Sequence, residues 1–325
     1  MEHTPEIQPT EPIIIDHFQQ LIDDYGLNDD NNIIELWQYD DETKENVLKP
    51  FPIFEKVAEG IAIMPYTLDR TQIKAPTYKG SRFNGVYKVI RLHPETKKGL
   101  KKYHIPAGAG TPPFIPKQLL VDVEKGNNID TLYLTEGYKK AFKSANIGLP
   151  CIGLVSITCM IDKDTGKIHR DIIRIIDKCK VKRIVWLIDA DFRELSKSDI
   201  AESKELATRP NNFYNTICKF HELMSSVDNV GLYFAHINED IEGNPKGLDD
   251  LLIMYKDEVR DIIKEANQFD KPNQKQHTGY YFTKINITQS PYKVRQYFWL
   301  DDVTTFYLKH VENRPDLKDH KFKFF

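Results

Sequence analysis

From residue 129 onward, short apolar runs alternate with amphipathic stretches. "IDTLYLT" has the length and composition of a strand. "YKKAFKSAN" follows with helical spacing and closes near Gly148, a glycine stop signal. "PCIGLVS" is a second apolar run. "IHRDIIRIIDKC" then sets Ile168, Ile172, Ile175, Ile176 and Cys179 on one helical stripe. "RIVWLID" and "NVGLYFAHI" predict two more strands, with the helical pattern "NNFYNTICKFHELMSS" between them. "LDDLLIMY" and "EVRDIIKEAN" predict helices after the fourth. Near-continuous apolar strands alternating with helices predict an α/β fold, a parallel sheet covered on both faces.

The flanks have a different texture. "GVYKVIRLH" alternates apolar and polar residues and predicts a strand, with "PETKKG" as a turn. "KKYHIPAGAGTPPFIPKQLL" is rich in Gly and Pro and predicts loop and short strand. Near the N-terminus, "IIIDHFQQLIDDYG" and "FPIFEKVAEGIAI" both carry helix-like apolar spacing, separated by the polar break "NDDNN". "GYYFTKINI" and "VRQYFWLDDVTTFYLKHV" predict a small extra sheet or hairpin. The expected organisation is an N-terminal unit over 1–60 with a polar tail, a mixed α+β basic subdomain over 61–128, the α/β domain over 129–266, and a small C-terminal unit or linker over 267–325.

Composition narrows the class. The chain has 325 residues, 40% hydrophobic and 29% charged, as in ordinary soluble proteins. A net charge of -3 gives no global nucleic-acid signature, so any such surface is local. No apolar run is long enough to span a bilayer, and the acidic N-terminus is not a signal peptide. Cys151, Cys159, Cys179 and Cys218 form no C-x-x-C pair, which argues against a zinc ribbon and for a reducing, cytoplasmic setting without disulfides.

In an open parallel sheet, functional side chains collect at the carboxyl ends of the strands. Glu136 ends the first predicted strand, in "LYLTEGYKKA". Asp189 and Asp191 follow the third, in "WLIDADF"; Asp249 and Asp250 follow the fourth and open a helix, in "NPKGLDDLL". Each has a purely structural explanation on its own: a solvated strand end, a cap, or acids complementing a helix N-terminus. Their shared edge favours a joint role. Two carboxylates about 4 Å apart repel by roughly 4 kcal/mol at an effective dielectric near 20. Such a cluster calls for a cation. Without His or Cys ligands, all-oxygen coordination favours Mg²⁺ or Mn²⁺, which commonly share phosphate oxygens. That chemistry is phosphoryl or nucleotidyl transfer.

A Glu-Gly turn after one strand and Asp-x-Asp after a later one resembles the Toprim domain, shared by bacterial-type primases, topoisomerases, OLD-type nucleases and recombination-repair proteins. The motifs here are "LTEGYKKA", "IDADF" and "KGLDDLL". The last resembles the Lys-x-x-Asp segment of replicative primases. "EGYKKA" with the following "GLPCIGL" is similar to Toprim-like domains in primase–helicase genes of phages and mobile elements. Upstream, "GVYKVIRLHPETKKGLKKYHIPAGAGTPPFIPKQLL" has the primase order of Lys-Tyr, proline and apolar anchor, so the resemblance covers about residues 78–265. The chain departs from the pattern in two places. No zinc ribbon precedes the basic region, and "IGLVS" lacks a second glycine.

The basic region holds Lys79, Arg82, Lys88, Arg91, Lys97, Lys98, Lys101 and Lys102 against the single acid Glu95, with Tyr78, Phe83, Tyr87 and Tyr103 interleaved. Lysines neutralise phosphates and aromatic faces stack on bases. The plain alternative is a solvated hairpin with its aromatics in the core. Lys139, Lys140 and Lys246 are candidates for an incoming triphosphate. The resemblance implies a Toprim-type DNA primase module, in which Asp189 and Asp191 hold metal, Glu136 acts as base or further ligand, and Asp249 and Asp250 complete the metal site. Expected partners are single-stranded DNA, nucleoside triphosphates and a replicative helicase or helicase domain, with no membrane. The alternatives are a Toprim nuclease using water as nucleophile, and a non-catalytic accessory that only binds nucleic acid.

Overall fold

Apolar residues at consecutive positions have two faces to bury, and the runs 132–134, 151–154 and 184–187 do so. The computed structural model describes residues 16–58, 60–77, 83–92, 103–162, 164–189, 219–220, 222–224, 227, 229–237, 245, 247–254 and 282–286. Two compact units divide the chain, 1–109 and 110–325.

In the first unit, α1 (His17–Asp23) starts at Asp16, whose carboxylate accepts hydrogen bonds from the Phe18 and Gln19 amides. The polar "NDDNN" is not a mere break. It forms the single turn α2 (Asp29–Asn32), closed by a reciprocal capping box between Asn28 and Asn31. A hairpin follows, β1 (Ile33–Asp40) against β2 (Glu45–Pro52). Ile34 and Leu36 are buried on one face, while Trp37 and Tyr39 stand exposed on the other. The segment read as helical, "FPIFEKVAEGIAI", is instead strand. β3 (Phe54–Val57) and β4 (Gly60–Ile63) pair antiparallel and continue through β5 (Val89–Leu92) to β6 (Tyr103–His104). Pro52 near its start, Pro50 just before it and the Asn32 side chain, which pairs with both backbone groups of Phe54, hold the segment extended.

In the second unit, α3 (Lys117–Lys125) emerges from the stretch expected to be loop and short strand. Leu119, Leu120 and Val123 are its buried face. Then come β7 (Thr131–Glu136), α4 (Tyr138–Asn146), β8 (Cys151–Leu154), α5 (Arg170–Lys178), β9 (Arg183–Ile188) and β10 (Gly231–Ile237). A helical stretch covers 248–254. The strands lie in the order β11-β10-β9-β7-β8. β7, β8, β9 and β10 are mutually parallel. The fold is therefore α/β, a parallel sheet flanked by helices. "FTKIN" does not form a separate sheet. As β11 (Phe282–Asn286) it pairs antiparallel with β10 and satisfies that strand's outer edge. "EVRDIIKEAN" and "VRQYFWLDDVTTFYLKHV" lie outside the described residues.

Leu132, Leu134, Ile152, Leu154, Ile184 and Trp186 are all at most 1% exposed and form the middle of the core. The Ile172, Ile175, Ile176 stripe of α5 is buried with Cys179. Cys151, Cys159 and Cys179 are free thiols. Among the described residues, no helix is long and apolar enough to cross a membrane.

Candidate functional site

The strand order carries the first positional argument. From β7 the chain moves to β8 on one side, then crosses back to β9 on the other. β7 and β9 thus flank a topological switch point, and in open α/β sheets ligands bind at such a point, beyond the carboxyl ends of the strands. Glu136 ends β7 and Asp189 follows β9. The register pairs Thr135 with Leu187, so the two acids stand at the same edge of neighbouring strands.

Gly137 makes the turn between Glu136 and α4 with φ 114° and ψ 129°, where a side chain is strained. The start of α4 is pinned one residue later. The Tyr138 hydroxyl donates to the Pro112 carbonyl, and its ring stacks on Phe114 at 5.3 Å. Phe114 in turn exchanges two backbone hydrogen bonds with Gly153 of β8, at 2.8 and 3.0 Å.

This places Lys140 one helical turn beyond Glu136, and its stem lies back over Gly137. Its Nζ donates to both carboxylate oxygens of Asp189, each at 2.5 Å. The pair is largely enclosed, with side-chain exposures of 14% for Lys140 and 25% for Asp189. The third element arrives at Gly247. A Cβ there would meet Asp249 Oδ1, Lys140 Cε and Lys140 Nζ, each at 2.8 Å, so Asp249 and the ammonium crowd one spot. Burial pulls the Lys140 pKa down, but the charges of Asp189, Asp249 and Glu136 and the hydrogen bond to Asp189 outweigh it. The net direction is up, and the ammonium stays charged.

Glu136, Asp189 and Asp249 therefore gather around Lys140. Asp250 is exposed and its Oδ2 accepts the Gly247 amide at 3.1 Å, reaching back from the first turn of the helical stretch 248–254 to the residue that precedes it. Lys139 is half-buried on α4. Asp191 and Lys246 lie outside the described residues, as do Lys79, Arg82, Lys97, Lys98, Lys101 and Lys102. In the first unit, Lys88 is half-buried, and the Arg91 guanidinium lies over the Tyr103 ring at 4.9 Å. Tyr103 is 40% exposed, whereas Phe83 and Tyr87 are core residues and present no face for stacking.

Sequence reasoning did not single out Gly247, nor the seat of Tyr138 on Pro112 and Phe114. The signal for Lys140 was present: a basic residue four positions after an acid, in the first turn of a helix.

Among the described residues, no three His, Cys, Asp or Glu side chains are grouped closely enough to hold a metal ion. The three acids are arranged about an ammonium instead. Their chemistry still suits a hard divalent cation. All donors are oxygens, the donor type that Mg²⁺ and Mn²⁺ take. A separate cavity of about 550 Å³ opens beside the amino ends of β7 and β9, lined by Asp122, Asp130, Thr131 and Arg183 among others. It sits at the opposite edge of the sheet from Glu136, and the acids make the carboxyl edge the better candidate.

The sheet and the acids at its carboxyl edge define an α/β protein with an acidic switch-point site. No protein-family model matches the chain, and no curated protein sequence does. Similar solved structures include a DnaG catalytic core at TM-score 0.38 and 10% identity, covering 77% of this chain and 59% of that one. A DnaG primase catalytic domain bound to single-stranded DNA matches at TM-score 0.37 and 11% identity, covering 76% of this chain and 64% of that one. An E. coli primase catalytic core matches at TM-score 0.35 and 11% identity, covering 76% and 59%. The chain thus spans about three fifths of the length of these structures. Likeness at this level bears on neither activity nor partners.

Proposed function

We propose that the chain is a Toprim-type primase module that joins nucleotides into primers on single-stranded DNA. The observation that carries this reading is the convergence of Glu136, Asp189 and Asp249 at the carboxyl edge, on the switch point between β7 and β9. Asp189 and Asp191, with Glu136, Asp249 and Asp250, are the residues to hold Mg²⁺ or Mn²⁺. Bound there, the ion supplies charge neutralisation for a triphosphate and lowers the pKa of an attacking 3′-hydroxyl. Glu136 takes the proton of that hydroxyl or orients it. Lys139, Lys140 and Lys246 serve the phosphates. Template binding belongs to the basic segment, from Lys79 to Tyr103, through phosphate contacts and stacking. A replicative helicase or helicase domain is the expected partner.

The test pairs chemistry with binding. Glu136→Gln keeps shape and removes charge. With Mn²⁺, nucleotides and a single-stranded template, primer synthesis should fall at least a hundredfold, as expected for a positioned general base or metal ligand. Template affinity, read by fluorescence anisotropy, should stay within a few-fold of the parent. Full synthesis by the variant contradicts the role of Glu136. Template degradation by the parent, lost in the variant, points to a nuclease. Binding without turnover points to an accessory protein.

A further inference from the structure

We propose that Lys140 is a resident counter-cation that holds the acidic cluster together before metal binds and gives up Asp189 to the divalent ion. This inference rests on the metal-dependent reading above. Its basis is geometric. Lys140 Nζ engages both oxygens of Asp189 at 2.5 Å, so the ammonium sits between them, in the seat a metal chelated by both oxygens would take. The same Nζ and Asp249 Oδ1 each come within 2.8 Å of the one position at Gly247 where a Cβ would stand. Glu136 adds its charge from the strand one turn before Lys140. The lysine is thus the centre of the cluster, and no three acids among the described residues approach one another closely enough to share an ion.

A magnesium ion sits about 2.1 Å from its ligand oxygens. Placed on Asp189, it would lie within a few ångströms of the present Nζ position, with like charge on both. The ammonium and the ion cannot both occupy the seat between the two Asp189 oxygens. Lys140 is tethered in the first turn of α4, so on leaving Asp189 its ammonium remains at the carboxyl edge of the sheet. There it meets whatever anion follows the metal, and a triphosphate is the class that fits. Metal binding and phosphate capture are coupled through one flexible side chain. Gly247 leaves that side chain its space.

The experiment is a Mn²⁺ titration of the full chain, following free ion by electron paramagnetic resonance, on the parent, on Lys140→Met and on Lys140→Met with Asp189→Asn. Methionine keeps an unbranched stem and removes the charge. The expected result is Mn²⁺ affinity at least tenfold tighter in Lys140→Met than in the parent, and lost when Asp189→Asn is added. A second measurement uses the parent alone and covers the case in which Lys140→Met fails to fold. Brief acetylation followed by peptide mass spectrometry should label Lys140 several-fold faster with Mn²⁺ than without. Equal or weaker affinity in Lys140→Met overturns the proposal. So does a Lys140 that stays protected in the Mn²⁺-loaded parent, and so does the absence of Mn²⁺ binding in every variant. The primase reading fails separately. Metal exchange at Lys140 without primer synthesis leaves the inference standing, and primer synthesis without exchange leaves only the function.

Discussion

At φ 114° and ψ 129°, Gly137 occupies backbone space that a residue with a Cβ enters only under strain. That conformation turns the chain sharply enough to follow a buried strand with a helix while leaving Glu136 at the edge. Gly137→Ala should cost about 1–3 kcal/mol of stability, as single strained residues do. A urea-unfolding midpoint equal to the parent's would show that the turn relaxes freely. At this scale the sequence was informative about which carboxylates end strands, because a charge after an apolar run stands out. It marked Lys140 as a candidate for phosphate but was silent on its pairing with Asp189. Whether a lysine in the first turn of a helix points to solvent or back over the turn depends on the neighbouring strand and on a glycine more than a hundred residues away. No local pattern encodes that.

Among the elements, β7, β8, β9 and α5 were readable because they bury apolar residues in unbroken runs or on a single stripe. The hairpin β1–β2 and the β3–β4 pair were not. Their apolar residues are spaced ambiguously, and the Asn32 contacts to Phe54 that help decide the matter are 22 residues apart in sequence. α5 also carries a testable pH response. His169 caps it, with Nδ1 accepting the Asp171 amide at 3.3 Å, so the capping ring is unprotonated at that nitrogen. Burial lowers its pKa below the ordinary 6.5, and the charge of Arg170 adds to this. Asp171 and Asp162 pull the other way without reversing the direction. The unfolded chain therefore binds a proton at higher pH than the folded one. Stability is fully present above the unfolded value near 6.5 and declines as pH falls through the range between the unfolded and folded values. His169→Asn retains a capping group and removes the titration. Urea midpoints between pH 7.5 and 5 should fall less in that variant than in the parent, and parallel curves would assign the pH response elsewhere.

At the scale of the whole molecule, the alternation of strands and helices indicated a parallel sheet, but not the order β11-β10-β9-β7-β8. Hydrophobic pattern says that a strand is buried, and nothing about which neighbour it takes. That order is what puts Glu136 and Asp189 side by side. The basic segment makes a separate prediction. Each phosphate contact to a single strand contributes about 0.7 to the slope of log affinity against log salt. Neutralising Lys97, Lys98, Lys101 and Lys102 together should weaken binding to a labelled single strand and flatten that slope. An unchanged slope would make the segment a solvated face. The measurement that bears most directly on the central claim is anomalous diffraction from crystals soaked with Mn²⁺ and a non-hydrolysable nucleoside triphosphate. A manganese peak against Asp189 and Glu136 at the carboxyl ends of β7 and β9, with the nucleotide phosphates on its open side, is the expected result. No manganese at that edge, or a nucleotide seated in the cavity beside Asp122 and Arg183, would contradict it.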